Sequence, residues 1–181
     1  MARKESVTKS DILNAAFLMI EEEGLEGITA RKLAVKAGCS TQPIFRHYKN
    51  MEELQEDLFE ELMKYFGQFY RAFPKVETTP FVHLGMVYIK FAEKENNIFR
   101  ALFLSNNRGN KSLYEILNGN TGAVGEAVHA AQAAGCQNPS ELFMKMWIFI
   151  HGIACMTTTE DYDLNAEETK ALLINAYESF K

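Results

Sequence analysis

Residues 37–54 read AGCSTQPIFRHYKNMEEL and concentrate hydrogen-bonding side chains in one short segment. Ser40 is a favourable helix N-cap, and Pro43 falls in the first turn of the helix that follows, where the N–H that proline lacks is not needed. Gly38 permits a tight turn immediately before this helix. The segment is therefore predicted to form a turn and a short helix that begins at Thr41.

The predicted short helix carries more polar groups than packing alone requires. A helix needs one apolar stripe to pack against a core, and Ile44, Phe45 and Tyr48 are predicted to provide it. The other side chains then project outward, where such groups suit the base edges and phosphates of nucleic acid. These outward residues are Thr41, Gln42, Arg46, His47 and Lys49.

Two more helices are predicted ahead of this segment. In TKSDILNAAFLMIEEEG, Thr8 and Asp11 form a helix start akin to a capping box. In TARKLAVKAG, Thr29 is the expected N-cap. Two short helices separated by residues 37–40 match a helix-turn-helix, whose first helix braces a second one that enters the DNA major groove. The predicted inward face of the leading helix is Ile12, Ala15, Ala16, Met19 and Ile20.

The rest of the chain is also predicted to be helical. Asn50 and Glu53 supply the start of a fourth helix, which must stop before Pro74. Five later segments have helical spacing between breaks rich in Pro, Gly or Asn; they are 80–95, 96–105, 111–135, 139–159 and 165–180. The predicted fold is all-α with about nine helices, a small N-terminal domain at 1–50 and a larger one at 51–181.

Charge and composition narrow the functional classes. The 181 residues are 47% hydrophobic, which is enough for a buried core, and the net charge is -5. Residues 1–49 nevertheless contain eight Lys/Arg against six Asp/Glu, so a basic end precedes an acidic body. This distribution favours one end facing a polyanion.

Several other kinds of site find no support in the sequence. Three cysteines without CxxC spacing predict neither a disulfide framework nor a zinc site, and His83, His129 and His151 lack metal-ligand spacing, so no metal or cofactor is predicted. The polar N-terminus and the absence of an apolar run of transmembrane length predict a cytoplasmic protein that does not contact membranes.

The segment GLEGITARKLAVKAGCSTQPIFRHYKNMEEL resembles the DNA-binding segment of the TetR family of bacterial transcription regulators, over about Thr8 to Leu58. YIKFAEKENNIFRALF, together with Trp147, His151 and Gly152, resembles a C-terminal subtype of that family with a W-x-x-x-H-G signature. The resemblance implies a helix-turn-helix DNA-binding domain followed by an effector-binding and dimerisation domain. It also implies a homodimer, whose last two helices pair with those of the partner, and a pocket for a small inducing molecule.

The resemblance places phosphate contacts at Thr29 and Lys49 and base contacts at the start of the recognition helix. Phe45 stands where the family usually has tyrosine, and Tyr48 supplies a hydroxyl nearby. The full set of candidate DNA contacts is Thr29, Arg31, Thr41, Gln42, Pro43, Arg46, His47, Tyr48 and Lys49. Alternatively, Arg46 pairs with an acid of the fourth helix, and Arg31 and His47 belong to solvated faces.

Thirteen Phe and eight Met give the larger domain an adaptable apolar interior, which favours a hydrophobic effector. Candidate pocket residues are Phe66, Phe69, Met86, Phe103, Met144, Trp147 and His151. Trp147 and His151 lie one helical turn apart, so the alternative is a structural pair. Candidate dimer contacts are Ile153, Met156, Leu172, Leu173 and Tyr177.

The sequence predicts a sequence-specific DNA-binding transcriptional regulator. We expect a homodimeric repressor that binds a palindromic operator in double-stranded DNA and leaves it when a small hydrophobic effector binds. In one alternative, a protein partner or no effector at all controls the same DNA binding. In another, the chain is a small helical enzyme. The sequence has no nucleophile-base-acid triad, phosphate-binding loop or metal cluster, so no catalytic residue is predicted.

Overall fold

The computed structural model describes residues 7–75, 79, 81–106 and 122–181. Over these ranges the chain forms nine α-helices and no strand, which confirms the predicted fold class. The first part of the predicted segment 111–135 lies outside the described residues. The helices are α1 (Lys9–Glu23), α2 (Ala30–Lys36), α3 (Thr41–His47), α4 (Met51–Ala72), α5 (Val82–Lys94), α6 (Asn96–Phe99), α7 (Gly122–Ala133), α8 (Pro139–Thr158) and α9 (Ala166–Phe180).

Local capping chemistry fixes where the N-terminal helices begin. At α1, the Thr8 hydroxyl accepts from the Asp11 amide at 3.1 Å, and the Asp11 carboxylate accepts from the Thr8 amide at 2.8 Å. At α4, the Asn50 side chain accepts from the Glu53 amide at 2.9 Å. Such caps satisfy amides that have no partner inside the helix and contribute about 1 kcal/mol each. Both predicted helix starts are therefore confirmed.

The chain divides into two compact units, one of Met1–Phe66 with Asn97–Ser112 and one of Gly67–Asn96 with Leu113–Lys181. The first unit extends past the predicted domain boundary at residue 50. Side-chain contacts attach the first part of α4 to α1. Lys9 forms an ion pair with Asp57, and the rings of Phe17 and Tyr65 pack edge to face at 5.2 Å.

The core of the first unit forms where α1, α2 and α3 pack together. The inward face predicted for α1 is confirmed, because all five of its residues are buried. Leu33 of α2, Ile44 of α3 and Leu54 of α4 are completely buried. Complete burial of such a side chain contributes about 1.5 to 3 kcal/mol, so these few residues account for much of the stability of a small helical unit.

In the second unit α5 is packed tightly against α8 and α9. Gly85 is buried at this junction, and a Cβ atom at its position would lie 2.9 Å from Leu173 Cδ1 and 3.0 Å from Ile150 Cδ1. One side of α8 is exposed within the chain. Ile148 is 66% exposed and Met156 is 46% exposed on one side of this helix.

No helix of the described ranges is long and apolar enough to span a bilayer.

Replacing Gly85 by alanine tests the packing of α5. Gly85→Ala is expected to lower the free energy of unfolding by about 1 to 3 kcal/mol, because the added methyl overpacks buried Leu173 and Ile150. The matched control is Gly67→Ala in α4, whose Cβ would meet, among the described residues, the Arg71 guanidinium at 3.4 Å. That change is expected to raise stability by about 0.5 to 1 kcal/mol. Urea unfolding measures both, and equal effects would contradict the close approach.

Candidate nucleic-acid interface

The turn between α2 and α3 is a Schellman motif that ends one helix and directs the next. The Cys39 amide donates to the Ala34 carbonyl at 2.9 Å, and the Gly38 amide donates to the Val35 carbonyl at 3.1 Å. Gly38 has φ 65°, a left-handed conformation that glycine adopts without steric cost. The motif closes α2 and sets the direction in which α3 leaves the turn.

The cations of α2 differ in how they are engaged. Lys32 pairs with Glu23 at 2.8 Å, and Lys36 pairs with Glu22 at 2.6 Å. Arg31 is exposed, and no ion pair of its side chain occurs within the described part of the chain. Of the three cations, Arg31 therefore retains an uncompensated charge that a phosphate can meet. The nearby Thr29 side chain caps α2 by accepting from the Lys32 amide at 3.3 Å.

Helix α3 is held by one face and exposes the other. Ile44 is fully buried, whereas Gln42 and Arg46 are exposed and Thr41 and Pro43 are partly exposed. This arrangement leaves amide, guanidinium and hydroxyl groups on a single outer surface. These are the groups that bond to base edges and phosphates in a major groove.

The predicted inward stripe of α3 is wrong for Phe45. This ring is 49% exposed, because position 45 lies about 100° around the helix from buried Ile44. Phe45, predicted as a packing residue, is therefore an apolar group on the outer surface. The signal that could have found it is its spacing of three residues from Gln42, which places both on one side of a helix.

Two contacts order the chain on either side of α3. The His47 ring donates from Nε2 to the Val7 carbonyl at 3.1 Å, although the ring remains exposed. The backbone amide of Lys49 donates to the Glu53 carboxylate at 2.7 Å, and the Lys49 side chain is exposed. His47 is thus bonded to the backbone that precedes α1 while its ring stays exposed, and the Lys49 ammonium stays on the surface beside the end of α3.

Tyr48 is corrected from a DNA contact to a core residue. Its side chain is 1% exposed, so its hydroxyl has no access to a phosphate. Burial, reinforced by the Asp57 carboxylate, raises the pKa of Tyr48 above its ordinary value. The Lys9 ammonium lies 5.1 Å from the ring centroid. Within the described residues the hydroxyl makes no hydrogen bond of good geometry, and the Asp57 carboxylate is the acceptor near it.

The candidate effector residues lie in separate environments. In the first unit, Phe66 and Phe103 pack edge to face at 5.4 Å. In the second unit, Phe69 packs on Phe91 at 5.1 Å. Met144 is half-buried on α8.

Trp147 and His151 form a stacked pair at 5.3 Å in the second unit. The Tyr88 hydroxyl lies 3.0 Å from His151 Nδ1, so the imidazole is engaged on two sides. Met86 lines a cavity that neither Trp147 nor His151 lines.

The candidate dimer contacts fall into two groups. Ile153, Leu173 and Tyr177 are buried within their own chain, so they are core residues of the second unit. Met156 is exposed and Leu172 is half-buried. Ile148 and Gly152 share the exposed side of α8 with Met156 at spacings of four residues, which defines an apolar stripe on one face of the helix.

A braced helix whose outer surface carries amide, guanidinium and ammonium groups defines a helix-turn-helix DNA-binding protein. Residues 12–61 match the family model described as bacterial regulatory proteins, tetR family. The match covers α1 to α3 and the first half of α4, so this segment is similar to the DNA-binding segment of TetR regulators. No curated protein matches it at the sequence level.

Solved structures of TetR regulators share the fold over nearly the whole chain. A putative TetR-family transcriptional regulator from Vibrio parahaemolyticus is 18% identical, with 94% of this chain and 97% of that chain covered and a TM-score of 0.67. MexZ, a repressor from Pseudomonas aeruginosa responsible for antibiotic resistance, is 18% identical, with 96% and 94% covered and a TM-score of 0.63. The multidrug binding protein EbrR, complexed with imidazole, is 15% identical, with 93% of each chain covered and a TM-score of 0.58.

Replacing Tyr48 by phenylalanine separates a core role from DNA contact. Tyr48→Phe is expected to change the free energy of unfolding by no more than about 1 kcal/mol, because the ring stays buried and the lost hydroxyl makes no hydrogen bond of good geometry. Affinity for operator DNA is expected to stay unchanged. Thermal unfolding and a DNA titration measure the two quantities, and a loss of affinity at unchanged stability would restore Tyr48 as a contact.

Proposed function

We propose that the protein is a homodimeric, sequence-specific repressor that binds a palindromic operator in the cytoplasm and is released by a small hydrophobic effector. The observation that carries this proposal is the two-faced α3, with Ile44 buried on one side and Gln42 and Arg46 exposed on the other. A helix exposed in this way can enter a major groove without disturbing the core that holds it.

Each exposed side chain of α3 suits a particular contact. The Gln42 amide can bond adenine at two positions, and Thr41 or Pro43 can touch a thymine methyl. The exposed Phe45 ring adds a second apolar group for a thymine methyl. Arg46 forms no ion pair within the described residues, so its guanidinium is available to guanine or phosphate.

Three residues at the edges of this surface suit the DNA backbone. Thr29 and Arg31 lie at the start of α2, and Lys49 follows α3. Contacts of this kind fix the position of the protein on the duplex and carry no direct sequence information. They account for affinity, and the residues of α3 account for specificity.

The exposed apolar stripe of α8 supports a homodimer. Ile148, Gly152 and Met156 form a face that is exposed to solvent in a single chain. Half-buried Leu172 of α9 is the remaining apolar candidate of the predicted set. Pairing of α8 and α9 with their copies would place two recognition helices about 34 to 36 Å apart, or at a multiple of that spacing, as a palindromic site requires.

Release by an effector requires that the ligand bind one arrangement of the dimer more tightly than the other. Coupling of about 1 to 3 kcal/mol is typical of such switches. The fold is shared with MexZ, a repressor, and with EbrR, which binds multiple drugs, and this likeness supports a small-molecule effector here. The W-x-x-x-H-G subtype of the C-terminal part stays a prediction.

A titration against operator DNA tests the proposed function. Purified protein is titrated with duplexes from the intergenic region beside its gene, with a scrambled duplex of equal length and composition as control. The expected result is tighter binding to one palindromic site and an affinity that falls as salt rises. Binding that is indifferent to both sequence and salt would contradict a sequence-specific regulator.

Two substitutions in the same titration separate base contacts from phosphate contacts. Gln42→Ala is expected to cost about 1 to 3 kcal/mol on the preferred site and to relax specificity at one base pair. Lys49→Ala is expected to weaken binding to all sequences alike and to reduce the salt slope. Equal effects of the two variants on every duplex would reverse these roles.

A charge placed on the apolar stripe of α8 tests the dimer. Ile148→Asp is expected to convert a dimeric mass to a monomeric one at micromolar concentration, because a carboxylate at the interface centre would be desolvated without a partner. Leu18→Asp changes an exposed leucine of α1 in the same way and is expected to leave the dimer intact. Light scattering measures both masses, and a dimeric Ile148→Asp variant would place the interface elsewhere.

A further inference from the structure

A cavity of about 530 Å³ opens in the second unit among α5, the end of α8 and the start of α9. Its volume falls within the range of about 300 to 1,000 Å³ that is common for small-molecule sites. Met86 and Ile89 line one side, and Leu164, which is 42% exposed, lines another. These side chains offer an apolar wall that is accessible from solvent.

The hydroxyl groups in the wall of this cavity are already satisfied. The Tyr162 hydroxyl lies 3.0 Å from the Thr169 hydroxyl, and the Thr157 hydroxyl donates to the Ile153 carbonyl at 3.0 Å. An apolar body can therefore occupy the cavity without leaving these hydroxyl groups unpaired.

The charges around the cavity favour a cation. Lys90 is the cation in its lining, and its ammonium is bound to the Glu93 carboxylate at 2.7 Å. Glu160 also lines the cavity, is exposed, and forms no ion pair within the described residues. The neighbouring sequence 159–168 adds to the negative potential, because it contains four Asp/Glu besides Glu160 and no Lys or Arg.

The backbone at Glu160 is unusual for a charged residue. Glu160 has φ 61°, and it follows α8 at the position where a left-handed residue closes the helix. Its amide donates to the Thr157 carbonyl at 3.3 Å, and the Asp161 amide donates to the Met156 carbonyl at 2.9 Å. Glycine adopts this left-handed conformation without strain. A glutamate at the same position lowers the stability of the protein, while its side chain lines the cavity.

We propose that this cavity is a binding site for an amphipathic organic cation. The apolar part of the ligand packs on Met86, Ile89 and Leu164, and its positive group lies beside the Glu160 carboxylate. That such a ligand releases DNA rests on the proposed function of the protein as a repressor. Binding of the cation itself does not.

Two ions of nearly equal size and opposite charge test the site. Tetraphenylphosphonium and tetraphenylborate are titrated into the full chain by calorimetry in a sodium buffer, since potassium precipitates the borate. The cation is expected to bind about tenfold more tightly than the anion, which is a modest value for one partly exposed charge. Equal binding, tighter binding of the anion, or no binding of the cation would overturn the proposal.

Substitutions locate the site and separate charge from apolar contact. Glu160→Gln is expected to remove most of the tenfold preference, and Leu164→Ala to weaken both ions alike. Glu178→Gln removes an exposed carboxylate of α9 outside the lining and is the matched control, expected to keep the preference. A preference that survives Glu160→Gln would overturn the assignment of the carboxylate.

Glu160→Gly shows whether a loss of cation selectivity comes from a loss of stability. It is expected to raise Tm by about 2 to 4 °C, because glycine relieves the left-handed backbone, and to lose the preference for the cation. A variant that is more stable and yet unable to select the cation supports a binding role for Glu160. A glycine variant that still selects the cation would overturn that role.

A final titration on operator DNA separates this site from the repressor function. Tetraphenylphosphonium is added to the protein–operator complex, and release is compared between the parent chain and Glu160→Gln. Release that only the parent shows supports both proposals. Cation binding without release overturns the link to DNA and leaves the site standing, whereas failure of operator binding itself counts against the proposed function alone.

Discussion

The DNA-facing surface depends on the burial of one isoleucine. Helix α3 has only seven residues, far fewer than the 12 to 15 or so that an isolated helix needs for marginal stability in water. Its orientation therefore comes from the contacts of Ile44 and Tyr48 with the first unit and from the Schellman turn at Gly38. Because Ile44 occupies the inner side, the amide of Gln42 and the guanidinium of Arg46 are left on the outer side.

In the second unit, close packing between helices determines which side chains stay exposed. The absence of a side chain at Gly85 lets α5 approach Ile150 and Leu173 closely, so α8 and α9 turn those residues toward α5. The stripe around Ile148 consequently faces away from the chain. A cavity lies between α5 and the loop before α9, and Glu160 lines it.

The helix caps were predictable from the sequence, and the packing partners of the apolar side chains were not. The caps at Thr8 and Asn50 depend on residues three apart, so sequence spacing sufficed to predict the starts of α1 and α4. The position of Phe45 was mispredicted, because two helical turns with three apolar residues do not define one stripe. Leu173 shows a further limit: its apolar pattern predicts burial, yet it does not say whether the same chain or a partner covers it. The cavity beside Glu160 joins three distant segments, which no local pattern reveals.

The ion pairs of the N-terminal unit also bear on how the protein searches a chromosome. Lys9, Lys32 and Lys36 each pair with a carboxylate of the same unit, so a duplex meets a smaller net positive charge on this unit than its lysines alone would give. The attraction to arbitrary sequence then rests on a small number of uncompensated cations. Weak attraction of this kind shortens the time spent on the wrong sites and leaves recognition to the side chains that face the bases. Internal charge pairing thereby limits trapping on the vast excess of genomic sequence that is not operator.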